Sequence, residues 1–171
     1  MAPGMSESPG SKFDEAQDEP LFTAIGRMDG ALQAAYDRAA ATMGEFIRRL
    51  GVEGEDYRAA KLRFRDPDES ERLGEDRFLF LWLGGVHYYA DENVFSGVFF
   101  EVPAGFEKWH EVGEQLVFEA DQVFDWMILD DGHLHGGFTL RVQRERLPEA
   151  EREGYDQYVG VRVYEPVAGG E

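Results

Sequence analysis

Residues 125–141 read DWMILDDGHLHGGFTLR, and this stretch has the pattern of a β-hairpin. Residues 127–129 form one apolar arm, and Asp131-Gly132 supply a turn, because aspartate and glycine adopt positive φ values at low cost. The second arm begins at His133, passes through Gly136-Gly137 and continues into the alternating apolar residues Phe138, Leu140 and Val142. Two adjacent glycines within a strand indicate a bulge, a bend or the close approach of another backbone. We therefore predict a hairpin at the centre of the fold, with positive φ at one or more of Gly132, Gly136 and Gly137.

The composition of the chain limits the structural classes of protein to which it can belong. It has 171 residues, of which 43% are hydrophobic, and this is enough for one domain with its own core. Cysteine is absent, so disulfides and thiol chemistry are excluded. No run approaches the roughly 18 apolar residues of a membrane span, and residues 1–20 lack the apolar segment of a signal peptide. We expect a disordered acidic leader over residues 1–20, one domain over residues 21–171, and the cytoplasm as the compartment.

The formal net charge of −18 is the strongest compositional feature. Such a surface repels phosphate backbones and anionic lipids, so neither nucleic acid nor a membrane is expected as a partner. Between residues 102 and 140, Lys108 is the single lysine or arginine among eight carboxylates. One interpretation is a solvated surface that serves solubility. The other is an acidic face that binds a basic protein partner, for which the candidate residues are Glu107, Glu111, Glu114, Glu119, Asp121, Asp130 and Asp131.

The first regular element is a long amphipathic helix. Asp29 has the character of an N-cap, and Gly51 follows the last apolar residue of the pattern, Leu50. Apolar residues recur at three- and four-residue spacing, which predicts one buried stripe. The members of this stripe are Leu32, Ala35, Tyr36, Ala39, Met43, Phe46, Ile47 and Leu50.

The rest of the chain changes to the alternation that is typical of strands. Residues 60–65 alternate apolar and basic side chains, and residues 78–83 are apolar throughout, which predicts a central strand covered on both faces. Residues 66–76 are predicted as a charged loop, and Gly84-Gly85 as the end of the central strand. Further predictions are strands at 87–90, 94–102 and 115–119, a loop at 103–113, a short helix from Leu147 to about Tyr158, and an edge strand near Val161 and Val163.

These elements predict an α+β fold. A long N-terminal amphipathic helix packs on a strongly bent, mainly antiparallel sheet of five to seven strands, and a short C-terminal helix follows. Antiparallel order follows from the short connections, which leave no room for crossover helices, and the bend could extend to a half-barrel. The core residues that contact the helix are expected to be Phe78, Phe80, Trp82, Trp126, Phe138 and Leu140.

Several short segments carry a family resemblance: AAYDRAAATMGEF at 34–46, RFLFLWLG at 77–84, VGEQ at 112–115, DWM at 125–127, DG at 131–132 and GGFTLR at 136–141. In these segments, and over roughly residues 29–148, the chain resembles the YegJ-like bacterial domain of unknown function (domain of unknown function 2314). The family carries no established reaction, cofactor or partner, so the resemblance implies a fold unit. His133 and His135 stand where the family tends to have lysine or an aliphatic residue, so no role for them is inherited.

Asp125 and Trp126 allow two interpretations. A carboxylate beside an indole can have a perturbed pKa, as catalytic carboxylates often do. The structural alternative, which we favour, is that Asp125 caps the chain as it enters the hairpin and Trp126 anchors the core. The predicted structural motif therefore consists of Asp125, Trp126, Gly132, Gly136 and Gly137.

His133 and His135 are two residues apart and project from one face of a strand, as a pair of metal ligands would. A metal site needs three or four converging ligands, however, and the sequence shows only two at a useful spacing. No nucleophile elbow, Walker loop or dinucleotide fingerprint is present. We therefore predict no metal site, no cofactor and no catalytic residues.

Two functional hypotheses remain. The first is a non-enzymatic acidic binding module, such as an inhibitor or immunity-type protein that acts on a basic protein partner. The second is a small hydrolase that uses carboxylates, with or without a metal at the histidines. They differ in whether the hairpin borders a deep pocket or a broad acidic surface.

Overall fold

The computed structural model describes residues 29–166, and the predicted leader at residues 1–20 lies outside this range. Five helices and seven strands make up the described chain. The helices are α1 (Gly30–Ala41), α2 (Met43–Leu50), α3 (Pro67–Leu73), α4 (Phe138–Arg146) and α5 (Glu149–Val159). The strands are β1 (Tyr57–Arg65), β2 (Phe78–Tyr89), β3 (Val94–Phe99), β4 (Gln115–Phe118), β5 (Val123–Asp130), β6 (His133–Gly136) and β7 (Val163–Tyr164).

The seven strands form one sheet in the order β4-β3-β2-β1-β5-β6-β7. Every neighbouring pair is antiparallel except β6 and β7. The predicted α+β class and mainly antiparallel sheet are therefore confirmed, and the edge strand predicted near Val163 is β7.

The sheet is strongly bent and not closed. Four residues connect β4 to β5, although β3, β2 and β1 lie between these two strands. In a flat sheet the two strands would lie about 19 Å apart, at roughly 4.8 Å per neighbour. Three of the connecting residues, Ala120–Gln122, form a 3-10 turn that rises only about 2 Å per residue. So short a connection requires the sheet to curl β4 back toward the start of β5.

The pairing register defines two faces of the sheet. Ala60 of β1 pairs with Leu83 on one side and Trp126 on the other, and these three residues mark the first face. Lys61 pairs with Trp82 and Asp125, so these residues mark the second face. The curled first face encloses most of the buried core, which includes Leu62, Leu83, Val86, Phe95, Phe99, Phe118, Val123, Trp126 and Ile128.

The N-terminal helical segment contacts both faces. The Phe46 ring of α2 stacks on Trp126 of the first face at 5.0 Å between centroids. The Tyr36 ring of α1 stacks on Phe80 at 5.9 Å, and Phe80 pairs with Arg63 on the second face. The predicted apolar stripe is buried from Leu32 to Phe46, with Ile47 and Leu50 half-buried.

The single long helix of the sequence analysis is divided at Thr42. The cap at Asp29 is as predicted, since its carboxylate accepts the Leu32 N–H at 3.1 Å. The Thr42 hydroxyl donates to the Arg38 carbonyl at 2.7 Å and also accepts the Trp126 indole N–H at 3.0 Å. A threonine that bonds backward to the preceding turn bends a helix. The division therefore coincides with a local hydrogen bond at Thr42, and the same hydroxyl links this point to Trp126 of β5.

Two predictions between residues 66 and 85 are wrong. The charged loop contains α3, whose N-cap Asp66 accepts the Glu69 N–H at 3.1 Å. Pro67 occupies the first helical turn, where its missing N–H costs nothing. Gly84-Gly85 does not end the central strand, because β2 continues to Tyr89 through an irregularity in its pairing with β3. This irregularity is a bulge rather than a break.

The second hairpin arm also differs from the prediction. Residues 138–142 belong to α4 rather than to a strand, and β6 ends at Gly136. Gly136 and Gly137 have φ values of +74° and +63°, and Gly132 has +82°, so the predicted positive φ is confirmed at all three. Two consecutive left-handed residues turn the chain out of the sheet and into the helix.

Gly136→Ala is expected to lower the free energy of unfolding by at least about 2 kcal/mol. The left-handed conformation alone costs a non-glycine residue about 1–2 kcal/mol. A Cβ at this position would also lie 2.4 Å from the Trp126 carbonyl oxygen. Urea titration monitored by circular dichroism measures the change. Gly154→Ala, in open space within α5, should instead stabilise by about 0.5–1 kcal/mol. Equal stability of the two variants would contradict the prediction.

Of the six predicted core residues, two are fully buried, and Phe80 stacks on Tyr36 of α1 as predicted. Trp126 is 0% exposed and Phe138 is 2% exposed. Phe78, Phe80, Trp82 and Leu140 are only half-buried. Trp82 pairs with Lys61 and therefore faces away from the main core, and Phe80 does the same as the partner of Arg63. The alternation of a strand sends every second apolar residue of β2 to the less covered second face.

Candidate functional site

Asp125 lies at the point where β5 meets the start of α4. Its Oδ1 accepts the backbone N–H groups of Trp126 at 2.8 Å and Phe138 at 3.1 Å. Its Oδ2 accepts the backbone N–H of Thr139 at 2.8 Å and the hydroxyl of the same residue at 2.5 Å. The side chain is 0% exposed. Asp125 therefore caps α4 although it lies 13 residues before the first residue of that helix.

The electrostatics of Asp125 agree with a structural role. Burial raises the pKa of its carboxyl, while the hydrogen bonds from Thr139, the charge of Lys61 and the Phe138 N–H lower the pKa in part. The N-terminus of a helix carries a partial positive charge that favours a carboxylate. Four donors occupy both oxygens, so neither oxygen is open to a substrate. The geometry supports the cap interpretation over the catalytic one.

The Trp126 side chain joins the hairpin to the helices. Its indole N–H donates to Thr42, and its ring meets Phe138 edge-on at 6.1 Å in addition to stacking on Phe46. A buried indole needs a hydrogen-bond partner, and a threonine 84 residues earlier in the chain supplies it. The hairpin therefore fixes the position of α2 through this one residue.

His133 and His135 project toward the first face, beside Asp130 and Ile128 respectively. His133 Nδ1 lies 2.5 Å from the Glu165 carboxylate. His135 Nδ1 is buried and has no hydrogen-bond partner in the structure. Burial, followed by the charge of Arg49, lowers the pKa of His135. Within residues 29–166, no group of three or more histidine, aspartate or glutamate side chains could hold a metal ion.

An apolar groove lies on the second face, where the hairpin meets α5. Its volume is about 240 Å³. The lining residues are Tyr57, Trp82, Phe100, Met127, Leu129, Leu134, Leu140, Tyr158, Val159 and Val161. Tyr158 is 88% exposed and Phe100 is 45% exposed. The sequence analysis missed this groove, although the signal existed: residues 78–83 and 127–129 are apolar on both faces, and only one face is covered completely.

The sequence of this chain matches one known protein family. The model of a family described as an uncharacterized protein conserved in bacteria (DUF2314) matches residues 29–163. The chain belongs to the DUF2314 family. The match begins at the Asp29 cap and ends within β7, so it includes the hairpin, the α4 cap and the lining of the groove.

One curated relative of this DUF2314 chain comes from Neisseria meningitidis serogroup B and is, by its name, an ankyrin repeat protein. It is 26% identical over 148 residues, which are 83% of this chain and 56% of the relative. The chain thus spans little more than half the length of that relative. No solved structure is significantly similar to the chain. No helix among residues 29–166 is long and apolar enough to cross a membrane.

The seven candidate carboxylates of this DUF2314 chain fall into two groups. Five lie around β4, and we call them the edge carboxylates: Glu107, Glu111, Glu114, Glu119 and Asp121. The other two, Asp130 and Asp131, lie at the β5–β6 turn and are called the turn carboxylates. Seven strand residues, or about 23 Å, separate the two ends of β5. The structure therefore does not bring all seven together.

The edge carboxylates are mostly exposed, with Glu114 half-buried. Glu114 accepts the Glu111 N–H at 3.1 Å and lies 3.2 Å from His110 Nδ1, so it holds the loop before β4. Lys108, the one lysine of this segment, pairs with Asp68 of α3 at 2.6 Å. The charge of the edge carboxylates is therefore not offset by this lysine.

Proposed function

We propose that this DUF2314 protein is a non-enzymatic binding module that acts in the cytoplasm on a basic protein partner, in the manner of an inhibitor or immunity-type protein. The observation that carries the proposal is the exposure of the edge carboxylates around β4. Lys108 pairs with α3 instead of with them. A surface of one charge sign steers an oppositely charged partner and raises its rate of association.

The structure around β4 also offers contact area. Trp109, Val112 and Val117 are 39%, 64% and 62% exposed. Aromatic and aliphatic residues among charges are the usual composition of an interface. β4 lies at one end of the sheet and pairs with β3 alone within residues 29–166, so its outer edge presents backbone groups to a partner.

The hydrolase alternative has less support. Asp125 was its strongest carboxylate, and both oxygens of Asp125 accept hydrogen bonds from the protein itself. His133 is engaged with Glu165.

The test is affinity capture from an extract of the producing bacterium, with wild-type protein and with a triple charge reversal, Glu107→Lys, Glu111→Lys and Glu119→Lys. These three glutamates are exposed, whereas Glu114 holds the preceding loop and is left unchanged. We expect wild type to retain a protein of basic isoelectric point that the variant does not retain. Association with the purified partner should slow as salt rises, because salt screens charges beyond a Debye length of about 8 Å at physiological ionic strength.

The matched control reverses three exposed glutamates elsewhere: Glu92→Lys, Glu145→Lys and Glu153→Lys. It changes the net charge by the same amount as the test variant, so it separates a local acidic site from a general charge effect. We expect the control to retain the partner and to melt near the wild-type temperature. The test variant should remain folded but melt somewhat lower, because Glu119→Lys removes the side-chain cap of the 3-10 turn at Ala120–Gln122. The proposal would be refuted if both triple variants lost the partner equally, or if the variant without the three edge glutamates retained the partner as well as wild type does.

A further inference from the structure

We propose that the apolar groove on the second face receives one large apolar side chain of a partner segment that carries lysine or arginine beside it. This inference rests on the proposed function, because it specifies how a basic protein partner is recognised. It adds a second contact region to the edge carboxylates around β4.

The groove has a defined floor and two walls. Trp82 of β2 and Met127 and Leu129 of β5 form the floor, since all three belong to the second face. Tyr57 and Phe100 form one wall, with their rings stacked at 6.1 Å. The end of α5 forms the other wall. Strands from the centre of the sheet therefore support the floor, and a rigid apolar floor suits an anchoring side chain.

Gly84 explains how the wall at Tyr57 is positioned. A Cβ on Gly84 would lie 2.8 Å from the Tyr57 hydroxyl oxygen and 3.1 Å from its Cε1. The absence of a side chain at residue 84 therefore lets the Tyr57 ring lie across β2 and border the groove. Tyr57 is 38% exposed in this position, and burial raises the pKa of its hydroxyl.

Exposure of the aromatic residues shows that the groove is not filled by the described chain. Tyr158 is 88% exposed, and its ring gains apolar contact only when something covers the groove. Tyrosine and tryptophan are enriched among the residues that contribute most to protein interfaces. Covering apolar surface contributes roughly 25 cal/mol per Å², so an apolar ligand is favoured over water here.

The size of the groove decides the kind of ligand. Sites for small molecules and cofactors enclose about 300–1,000 Å³. This groove encloses about 240 Å³ and is lined almost entirely by apolar groups. It therefore lacks the polar groups that orient a cofactor and suits a single aromatic or long aliphatic side chain.

The charges at the rim decide what accompanies that side chain. Glu101 follows Phe100 of the wall and is exposed. Asp131 is engaged with Arg162 at 3.3 Å, so these two charges offset each other, and Asp130 lies on the first face beside His133, away from the groove. Glu101 therefore leaves this rim negative on a chain with a net charge of −18, which favours a cationic residue beside the apolar one. A second copy of this chain is disfavoured as the occupant, because each copy carries a net charge of −18.

The test begins with selection of random dodecapeptides displayed on phage against the full-length protein. We expect the selected peptides to share an aromatic or leucine residue next to lysine or arginine. A synthetic peptide with that pattern is then titrated into isotope-labelled protein. Of the three tryptophans, Trp82 in the groove should shift its indole resonance, while buried Trp126 and Trp109 of the β3–β4 loop should not.

Two variants change the groove wall with little risk to folding. Tyr158→Ser and Phe100→Ser alter exposed side chains. Each should lower the affinity of the protein for the peptide by about tenfold or more. Val117→Ser, an equally exposed apolar residue on β4, is the matched control and should leave the affinity unchanged. Selection of no peptide, peptides without the apolar–basic pattern, a shift at Trp109 instead of Trp82, or full affinity of Tyr158→Ser would each overturn the inference.

The two proposals fail separately. If Tyr158→Ser retains the captured partner while reversal of the edge carboxylates releases it, the groove inference is wrong and the proposed function stands. If patterned peptides bind the groove but the edge reversal retains the same proteins as wild type, the proposed function is wrong as stated.

Discussion

Asp125→Asn is expected to lower the free energy of unfolding by about 3 kcal/mol or more, because leaving a buried donor without its acceptor costs about 1–3 kcal/mol, and more when the acceptor is charged. The substitution preserves shape, but it replaces one acceptor oxygen by an NH₂ group that faces donors at the start of α4. At least one of the N–H groups of Phe138, Thr139 and Trp126 then loses its partner in the interior. The change also removes the negative charge that faces Lys61, which is 5% exposed.

Guanidinium titration with a fluorescence readout measures this effect. The matched control is Asp130→Asn, which makes the same chemical change at an exposed position on the same strand and should shift stability by less than about 0.5 kcal/mol. Hydrogen exchange should further show that α4 opens more readily in Asp125→Asn than in wild type. A variant as stable as the control would mean that Asp125 does not hold α4.

Trp126→Ala is also expected to lower the free energy of unfolding by about 3–5 kcal/mol, as large-to-small substitutions of fully buried aromatic residues do. The change empties the space between Phe46 and Phe138, and it deprives the Thr42 hydroxyl of its indole donor. The cavity lies between the sheet and the helices, so neither layer can close it without moving the other.

Trp109→Ala provides the comparison for this second substitution. It removes the same side chain from a position that is 39% exposed and should cost no more than about 1 kcal/mol. Denaturant titration of both variants under one set of conditions gives the difference directly. Similar costs for the two substitutions would show that Trp126 is not a core anchor.

Local patterns in the sequence predicted much of this fold. The Asp29 cap, the apolar stripe and the turn at Asp131-Gly132 all depend on interactions within a few residues, and each is present in the structure. The sequence signals for helix α3 are equally local. Asp66 at the N-cap, Pro67 in the first turn and Gly74 after the last turn are standard helix signals. It was missed because its high charge was interpreted as a loop.

Other features depend on residues distant in the chain. The alternation of Phe138, Leu140 and Val142 suits a strand, but two left-handed glycines and the Asp125 carboxylate impose a helix. The hydrogen bond between Thr42 and the Trp126 indole likewise joins residues that are 84 positions apart in the chain. The apolar second-face residues of β2 and β5 are visible in the sequence, but their meeting with Tyr57 and the end of α5 in one groove depends on the tertiary fold.

The position of β1 between β2 and β5 determines the order in which this protein is built. One edge of β1 pairs with β2, which begins 13 residues after β1 ends, but the other edge waits for β5, which begins 58 residues after β1 ends. Until β5 is synthesised, β1 has an open edge and α2 lacks its contact with Trp126. Pairings of such long sequence separation slow folding, and unpaired strand edges promote association between chains. The nascent protein is therefore most vulnerable to aggregation between the completion of β2 and the arrival of β5, and helper proteins that shield strand edges would act in that interval.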